Sequence, residues 1–216
     1  MKKLHLGCGL VTPEDWINLD GSWNARLAKS PTLKKILGRL RIVPIEQTTI
    51  LWNPKIVIHD VRKPLPFESL SIDAIYASHL LEHLYLVEAK CLLQDCFRVL
   101  SPGGVVRMVV PDLRSIALNY VNQISSIDSV KSDQLEVNPA DRMNRQMLFR
   151  SATPPSGNIV YRLYSALNDF HTHKWMYDAN SLIKYFRWAG FEDVEEMDFL
   201  HSRIENIQIV EQADRV

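Results

Sequence analysis

Short apolar segments that end in polar residues recur along the first half of the chain, and they constrain its fold more than any other feature. Five of these segments are strand candidates, at residues 3–6, 16–20, 55–59, 72–77 and 105–110. A strand that is buried on both faces is a continuous apolar run, whereas in a half-exposed strand apolar and polar residues alternate. Because helical patterns separate several of the segments, the sequence predicts an α/β fold with a mainly parallel sheet.

The clearest helix precedes the fifth strand candidate. Its apolar residues recur at helical spacing, so one stripe is predicted to face the sheet, and they are Ala89, Leu92, Leu93, Cys96, Phe97 and Leu100. The sequence Pro102-Gly103-Gly104 is predicted to end this helix. A later helix is predicted to begin at the N-cap residue Asp178 and to end at Gly190, followed by two strands at 191–199 and 207–210.

The chain of 216 residues is long enough for one domain, which we expect to span 1–216. Two stretches, at about 21–54 and 113–170, lack the strand-helix alternation and are predicted to be inserts, the second with helical pieces at 116–124 and 140–150. Long connections within one sheet usually have a function, so 113–170 is a candidate substrate-binding cap.

Composition narrows the partners and the location. Lys and Arg together balance Asp and Glu at 25 each, which disfavours nucleic acid as a partner because there is no net positive charge to attract it. A local basic stretch within 26–41 is either a solvated helix face or a dock for an anionic substrate. The three cysteines suit neither a disulfide framework nor a Cys-rich zinc site, which favours the cytoplasm. No apolar run is long enough for a transmembrane segment.

The ends of the first three strand candidates carry the residues most indicative of function. A Gly7-Cys8-Gly9 turn follows the first strand directly, and glycines there let the backbone approach a ligand closely. The second strand ends at Asp20, and an acid there can accept hydrogen bonds from the ribose hydroxyls of an adenosine cofactor. The third candidate is followed by Asp60. Ligands of open α/β sheets bind at the carboxyl ends of strands, so these features are expected to meet at one edge.

Several motifs in sequence order resemble those of the class I S-adenosylmethionine-dependent methyltransferases, type 11 group. The motifs are LHLGCG, WINLD, HDVRKPLPF, IDAIYASHLLEHL, FRVLSPGGVVRMVVPD and the late HKWMYDANSLIKYFRWAGF. The resemblance implies a Rossmann-like, doubly wound, seven-stranded sheet that is mostly parallel and has an antiparallel last strand. It also implies S-adenosyl-L-methionine as the cofactor. Some members of the group are associated with polysaccharide gene clusters.

The resemblance assigns cofactor contacts to particular positions. Gly7 and Gly9 would face the methionine part, Asp20 the ribose, Asp60 and Val61 the adenine, and Ser78 and His79 the reactive methyl group. His5 is also a predicted cofactor contact and stands where the group usually has an acid, whereas Val11 stands where the group usually has a third glycine. Only ten residues separate Gly9 from Asp20, which is too short for the usual helix between the first two strands.

The segment His79-Leu80-Leu81-Glu82-His83 admits three interpretations. On a helix, H-x-x-E-H places two histidines on one face, as in inverted-motif zinc peptidases, and a zinc-dependent hydrolase is the alternative function. The segment also resembles E-x-x-E-H in metal-assisted O-methyltransferases, where a divalent metal is held. In the third and favoured interpretation, Glu82 and His83 brace the cofactor loop without metal.

A second histidine cluster, His171-Thr172-His173, precedes the late helix and is expected to return to the cofactor edge of the sheet. A hydroxyl acceptor needs a base, and histidine is the usual choice near neutral pH. The candidate bases are His79, His83, His171 and His173. We expect O-methylation of a small-molecule or glycan acceptor, with a non-catalytic cofactor-binding module as another alternative. Four aromatic residues are candidates for stacking on a sugar ring or for the core, namely Tyr161, Tyr164, Trp175 and Tyr177.

Overall fold

The computed structural model describes residues 1–40, 49–127, 138–148 and 172–213. Its centre is a sheet of five parallel strands in the order β3-β2-β1-β4-β5. The strands are β1 (Lys3–Leu6), β2 (Trp16–Asp20), β3 (Val57–Ile58), β4 (Ile72–Ser78) and β5 (Leu100–Val109). The order reverses between β1 and β4, and ligand-binding crevices of such sheets form at this point. The predicted parallel α/β sheet is therefore confirmed.

Six α-helices surround the sheet within the described ranges. They are α1 (Trp23–Ala28), α2 (Pro31–Arg39), α3 (Leu86–Val99), α4 (Leu113–Ile127), α5 (Pro139–Met147) and α6 (Ala179–Ala189). Asp178 caps α6 by accepting a hydrogen bond from the backbone N–H of Ser181, and Gly190 ends it at φ +110°, as predicted. None of the helices described here is long and apolar enough to cross a membrane.

The two faces of the sheet are covered differently. Leu4 and Leu6 of β1 belong to a core that includes the apolar stripe of α3 and residues of α6. On the other face, Trp16 and Tyr76 pack against a segment near the C-terminus. Of the predicted α3 stripe, Phe97 alone is largely exposed, and its ring lies edge-on to Phe191.

The sheet has five strands within the described ranges, so the prediction of seven strands with an antiparallel last strand is wrong there. Residues 191–199 form no strand, because acidic side chains crowd this segment and Asp193 and Leu200 have positive φ angles that a strand does not allow. Residues 207–209 form a 3₁₀ turn. Its apolar contacts with the sheet, Ile204, Ile207 and Val210, are spaced by three residues, which fits a turn and not the period of two of a strand.

Two boundaries also differ from the sequence prediction. β5 begins at Leu100, directly after α3, so Pro102-Gly103-Gly104 lies inside the strand instead of ending the helix. Ser101 stabilises this early start because its hydroxyl donates to the carbonyl of Ile72 at 2.8 Å. As expected from the short spacing, no helix connects β1 to β2, and the backbone N–H of Cys8 donates to the carbonyl of Leu19 instead.

Candidate cofactor and catalytic site

The turn after β1 has the backbone geometry of a ligand-binding loop. Gly7 and Gly9 have φ angles of +63° and +56°, which side-chain-bearing residues rarely adopt. A Cβ atom on Gly7 would lie 3.1 Å from Cδ1 of Leu80, whereas a Cβ on Gly9 would meet no atom within 4 Å. The loop is therefore packed against the segment after β4 on one side and is open at Gly9.

Asp20, at the end of β2, holds this loop. One carboxylate oxygen accepts a hydrogen bond from the backbone N–H of Gly9 at 2.9 Å, and the other accepts from the N–H of Ser22 at 2.8 Å. Cys8 is the middle residue of the loop, and burial together with the nearby Asp20 charge raises the pKa of its thiol to about 12. This thiol is therefore protonated at neutral pH. A carboxylate has about four lone-pair positions, so Asp20 can still accept from a ligand.

The ends of β2 and β3 come very close at Gly21. A Cβ atom there would lie 2.4 Å from the carbonyl oxygen of His59, which only glycine avoids. This contact brings Asp60 to the same edge as Asp20. The Asp60 carboxylate forms an ion pair with Arg62 at 2.7 Å, and this hydrogen bonding lowers its pKa. The next residue, Val61, is partly buried against the main core.

The end of β4 supplies a buried carboxylate and a histidine. Nδ1 of His79 lies 2.9 Å from Oε1 of Glu82, and the side chains are 33% and 0% exposed. His79 has a φ of +51°, a strained value for this residue type. The hydroxyl of Ser78, which precedes it, is buried and has no hydrogen-bond partner among the residues that the structure describes. A bound ligand is one of the partners that can satisfy such a group.

The H-x-x-E-H segment does not form the α-helix that the zinc-peptidase interpretation requires. β4 ends at Ser78, His79 lies in the bend that follows it, and only Leu81–His83 of the segment are helical, as a 3₁₀ turn. His79 therefore contacts Glu82 instead of sharing a helical face with His83. The structure places the donor atoms of Glu82, His83 and His173 within 4.8 Å of one another, so His173 replaces His79 in the candidate metal group.

Residues 172–175 return to this edge of the sheet, as predicted. The backbone N–H of Lys174 donates to the carbonyl of Glu82 at 2.7 Å, and Nζ of Lys174 donates to the carbonyl of His83 at 2.9 Å. The carbonyl of Thr172 accepts from Nδ1 of His83 at 3.2 Å. Burial lowers the pKa of both His83 and His173, which favours their neutral forms.

Other candidates from the sequence lie in different surroundings. His5 is buried, with its ring against Trp16 and Tyr76, so its predicted cofactor contact stays a prediction. Tyr177 is buried against Tyr185 and belongs to the core, whereas Trp175 is about half exposed. His171, Tyr161 and Tyr164 lie outside the described residues.

Sequence reasoning missed two residues that shape the site. Leu80 packs on the glycine loop, and no sequence signal distinguishes it from other apolar residues. Arg62 neutralises Asp60, and its position two residues after the acid in HDVRKP was a usable signal.

The described residues fit the adenosyl cofactor implied by the sequence resemblance. The open side of Gly9, after β1, leaves room for a ligand to approach the backbone. Ser78 ends the neighbouring strand β4, on the other side of the point where the strand order reverses, and its hydroxyl has no hydrogen-bond partner among the described residues. Residues 4–108, which include nearly all of the five strands, match the family model described as "Methyltransferase domain". Over just under half of its length, the chain is therefore similar to a methyltransferase domain.

Solved structures similar to this chain come from several organisms. One is a chain of the complex between the Haloferax volcanii Trm112 methyltransferase activator and a methyltransferase (14% identity, TM-score 0.41, 88% of this chain and 60% of that chain). Another is the PH0226 protein from Pyrococcus horikoshii (20% identity, TM-score 0.35, 58% of this chain and 54% of that chain). A third is PKMT2 from Rickettsia typhi in complex with AdoHcy (13% identity, TM-score 0.40, 87% of this chain and 38% of that chain).

The chain spans less than two thirds of the length of each of these three chains. No curated protein sequence matches it.

Proposed function

We propose that this protein transfers a methyl group from S-adenosyl-L-methionine to a hydroxyl oxygen of a sugar, a polysaccharide precursor or a related small metabolite. The pairing of His79 with the buried Glu82, next to the glycine loop, is the observation that carries the proposal. The match of residues 4–108 to a methyltransferase domain supports the cofactor. The choice of a sugar-like acceptor comes from the resemblance to the type 11 group.

The cofactor supplies an electrophilic methyl group on a sulfonium, so the protein mainly has to position the two reactants. The glycine loop, Asp20 and Asp60 would hold the cofactor, and Ser78 and His79 would border its methyl group. Transfer is an in-line displacement in which the bond from methyl carbon to acceptor oxygen forms as the bond from carbon to sulfur breaks. Residues 113–170 are proposed to cover the acceptor.

The acceptor hydroxyl has to lose its proton, and we propose that His79 accepts it. The Glu82 carboxylate accepts the Nδ1–H of His79, which fixes the tautomer with the lone pair on Nε2. A carboxylate in this position also stabilises the imidazolium that forms when Nε2 takes the proton. His173 is buried, whereas the side chain of His79 is 33% exposed. His171 remains a further candidate base.

Calorimetry with S-adenosylhomocysteine, followed by transfer of labelled methyl to lysate metabolite fractions, tests the proposal. We expect binding by the wild type and by His79→Gln, with transfer by His79→Gln reduced by about 10²-fold or more. His201→Gln, which changes an exposed histidine, is the matched control and is expected to keep both activities.

Three results would count against the proposal. If the folded protein binds neither S-adenosylmethionine nor S-adenosylhomocysteine, cofactor use is wrong. Binding without transfer to any fraction favours a non-catalytic cofactor-binding module. Full transfer by His79→Gln contradicts its role as the base.

A further inference from the structure

Glu82 is a buried carboxylate whose two oxygens have different surroundings. Oε1 lies 2.9 Å from Nδ1 of His79, whereas Oε2 has no hydrogen-bond partner among the described residues and the side chain has no solvent exposure. An unpaired oxygen of a buried carboxylate is costly unless a cation or a donor compensates it. Oε2 is therefore an acceptor that a bound cation could use.

Two histidines from different parts of the chain face the same place. His83 follows Glu82 in the 3₁₀ turn, and His173 comes from the segment that returns to the sheet edge. Their rings lie 5.1 Å apart, and the donor atoms of the three residues lie within 4.8 Å of one another. A tetrahedral zinc site needs donor separations of about 3.4 Å, so binding would draw these atoms together by roughly an ångström.

The hydrogen bonds around the histidines leave nitrogen lone pairs available for a metal. The Thr172 carbonyl can only accept, so Nδ1 of His83 carries the proton and Nε2 carries the lone pair. Within the described part of the chain, Nδ1 of His173 is buried and has no hydrogen-bond partner. A backbone carbonyl that accepts from a ligating histidine and so fixes its tautomer is a regular feature of metal sites.

We propose that Glu82, His83 and His173 form a binding site for a divalent transition-metal ion, with Zn²⁺ as the first ion to test. Two imidazole nitrogens with one carboxylate oxygen suit zinc and its neighbours, whereas Mg²⁺ and Ca²⁺ prefer oxygen ligands. His79 is outside the ligand set and positions Glu82 through Oε1. The ion would join residues 172–175 to the 3₁₀ turn.

A site with three protein ligands leaves a further coordination position, which is typical of catalytic and not of structural zinc. Binding of an acceptor oxygen at that position would deepen the proposed methyl transfer and rests on it. The binding of the ion itself does not depend on that proposal.

The test is metal analysis of the full-length protein after dialysis against Zn²⁺ and then against metal-free buffer. We expect about one Zn²⁺ per chain in the wild type and a loss of at least tenfold in occupancy in Glu82→Gln and in His173→Ala. His201→Ala is the matched control, since this histidine is exposed, and it is expected to retain zinc. Equal retention in all variants, or absence of zinc from the folded wild type, overturns the proposal.

Cobalt substitution gives a readout that does not need the variants to fold. Co²⁺ added to the metal-free wild type is expected to produce the visible absorption bands of a four- or five-coordinate site. A spectrum identical to that of Co²⁺ in buffer without protein overturns the proposal. Calorimetry of metal-free protein with S-adenosylhomocysteine separates the two hypotheses, because cofactor binding without metal binding contradicts only the metal site.

Discussion

Asp20 accepts a hydrogen bond from the backbone N–H of Gly9 at 2.9 Å and so connects the end of β2 to the glycine loop after β1. A second hydrogen bond, from the N–H of Ser22, fixes the other carboxylate oxygen. The carboxylate therefore organises the loop and stands at the position predicted for the cofactor ribose. Asp20 is therefore both a predicted ligand contact and a residue that holds the backbone of the glycine loop in place.

The first prediction concerns this carboxylate. In Asp20→Asn an NH₂ group, which can only donate, replaces one of the two accepting oxygens, so one of the two N–H groups loses its acceptor. We expect the dissociation constant for S-adenosylhomocysteine to rise at least about tenfold, since hydrogen bonds to charged groups contribute about 1.5–3 kcal/mol. Calorimetry measures the change. Asp15→Asn, at an exposed side chain paired with Lys3, is the control, and an equal loss in both variants would argue against a role specific to Asp20.

The second prediction separates backbone strain from ligand contact. Gly9 and Gly103 both have positive φ angles and both have open space where a Cβ atom would lie. Gly9→Ala and Gly103→Ala should therefore lose similar stability, roughly 1 kcal/mol each, measured by urea unfolding. Only Gly9→Ala should weaken cofactor binding, because only Gly9 belongs to the loop at the sheet edge. Unchanged affinity in Gly9→Ala would show that the ligand does not approach this position.

The third prediction compares two ion pairs of different burial. Glu211 is buried and accepts from Arg107 at 2.7 and 3.0 Å, which joins the segment near the C-terminus to β5. Glu211→Gln leaves the Arg107 charge without its partner, and we expect a loss of about 3 kcal/mol in the free energy of unfolding. In the exposed pair of Glu195 with Arg203, 3.7 Å apart, Glu195→Gln should cost less than about 1 kcal/mol.

Urea denaturation of the two variants gives both values, and similar losses would mean that the C-terminal segment does not depend on its buried pair. The segment covers Trp16 and Tyr76 of the sheet, so their fluorescence should change in the same transition.

The fourth prediction concerns pH. Hydrogen bonding to Arg62 lowers the pKa of Asp60 in the folded state, so Asp60 contributes stability above its unfolded pKa of about 3.9. That contribution is lost as the pH falls through the lower folded value. Arg62→Gln should raise the pKa of Asp60 toward its ordinary value, as measured by carboxyl carbon NMR titration. Lys63→Gln, which removes a neighbouring positive charge without this hydrogen bond, should leave it nearly unchanged.

The sequence determined the sheet and much of its ligand edge. Local apolar runs and the residues that follow them predicted β1, β2 and β4, the stripe of α3 and the placement of Asp20 and Asp60 at strand ends. These features are local: a buried strand needs an apolar run, and a helix needs a period near 3.6. The two ends of α6 could also be predicted from the sequence, because Asp178 and Gly190 form their capping hydrogen bonds with residues only three or four positions away.

Tertiary structure decided the rest. Residues 207–210 are apolar enough to suggest a strand, but Ile204, Ile207 and Val210 make the contact with the sheet face, and a turn satisfies this spacing of three residues. His173 meets Glu82 and His83 only because residues 172–175 bind the carbonyls of the 3₁₀ turn, a contact across about ninety positions that no local pattern records. The motifs of the chain thus predicted which edge of the sheet binds the cofactor, whereas long-range hydrogen bonds bring the histidines together beside this edge.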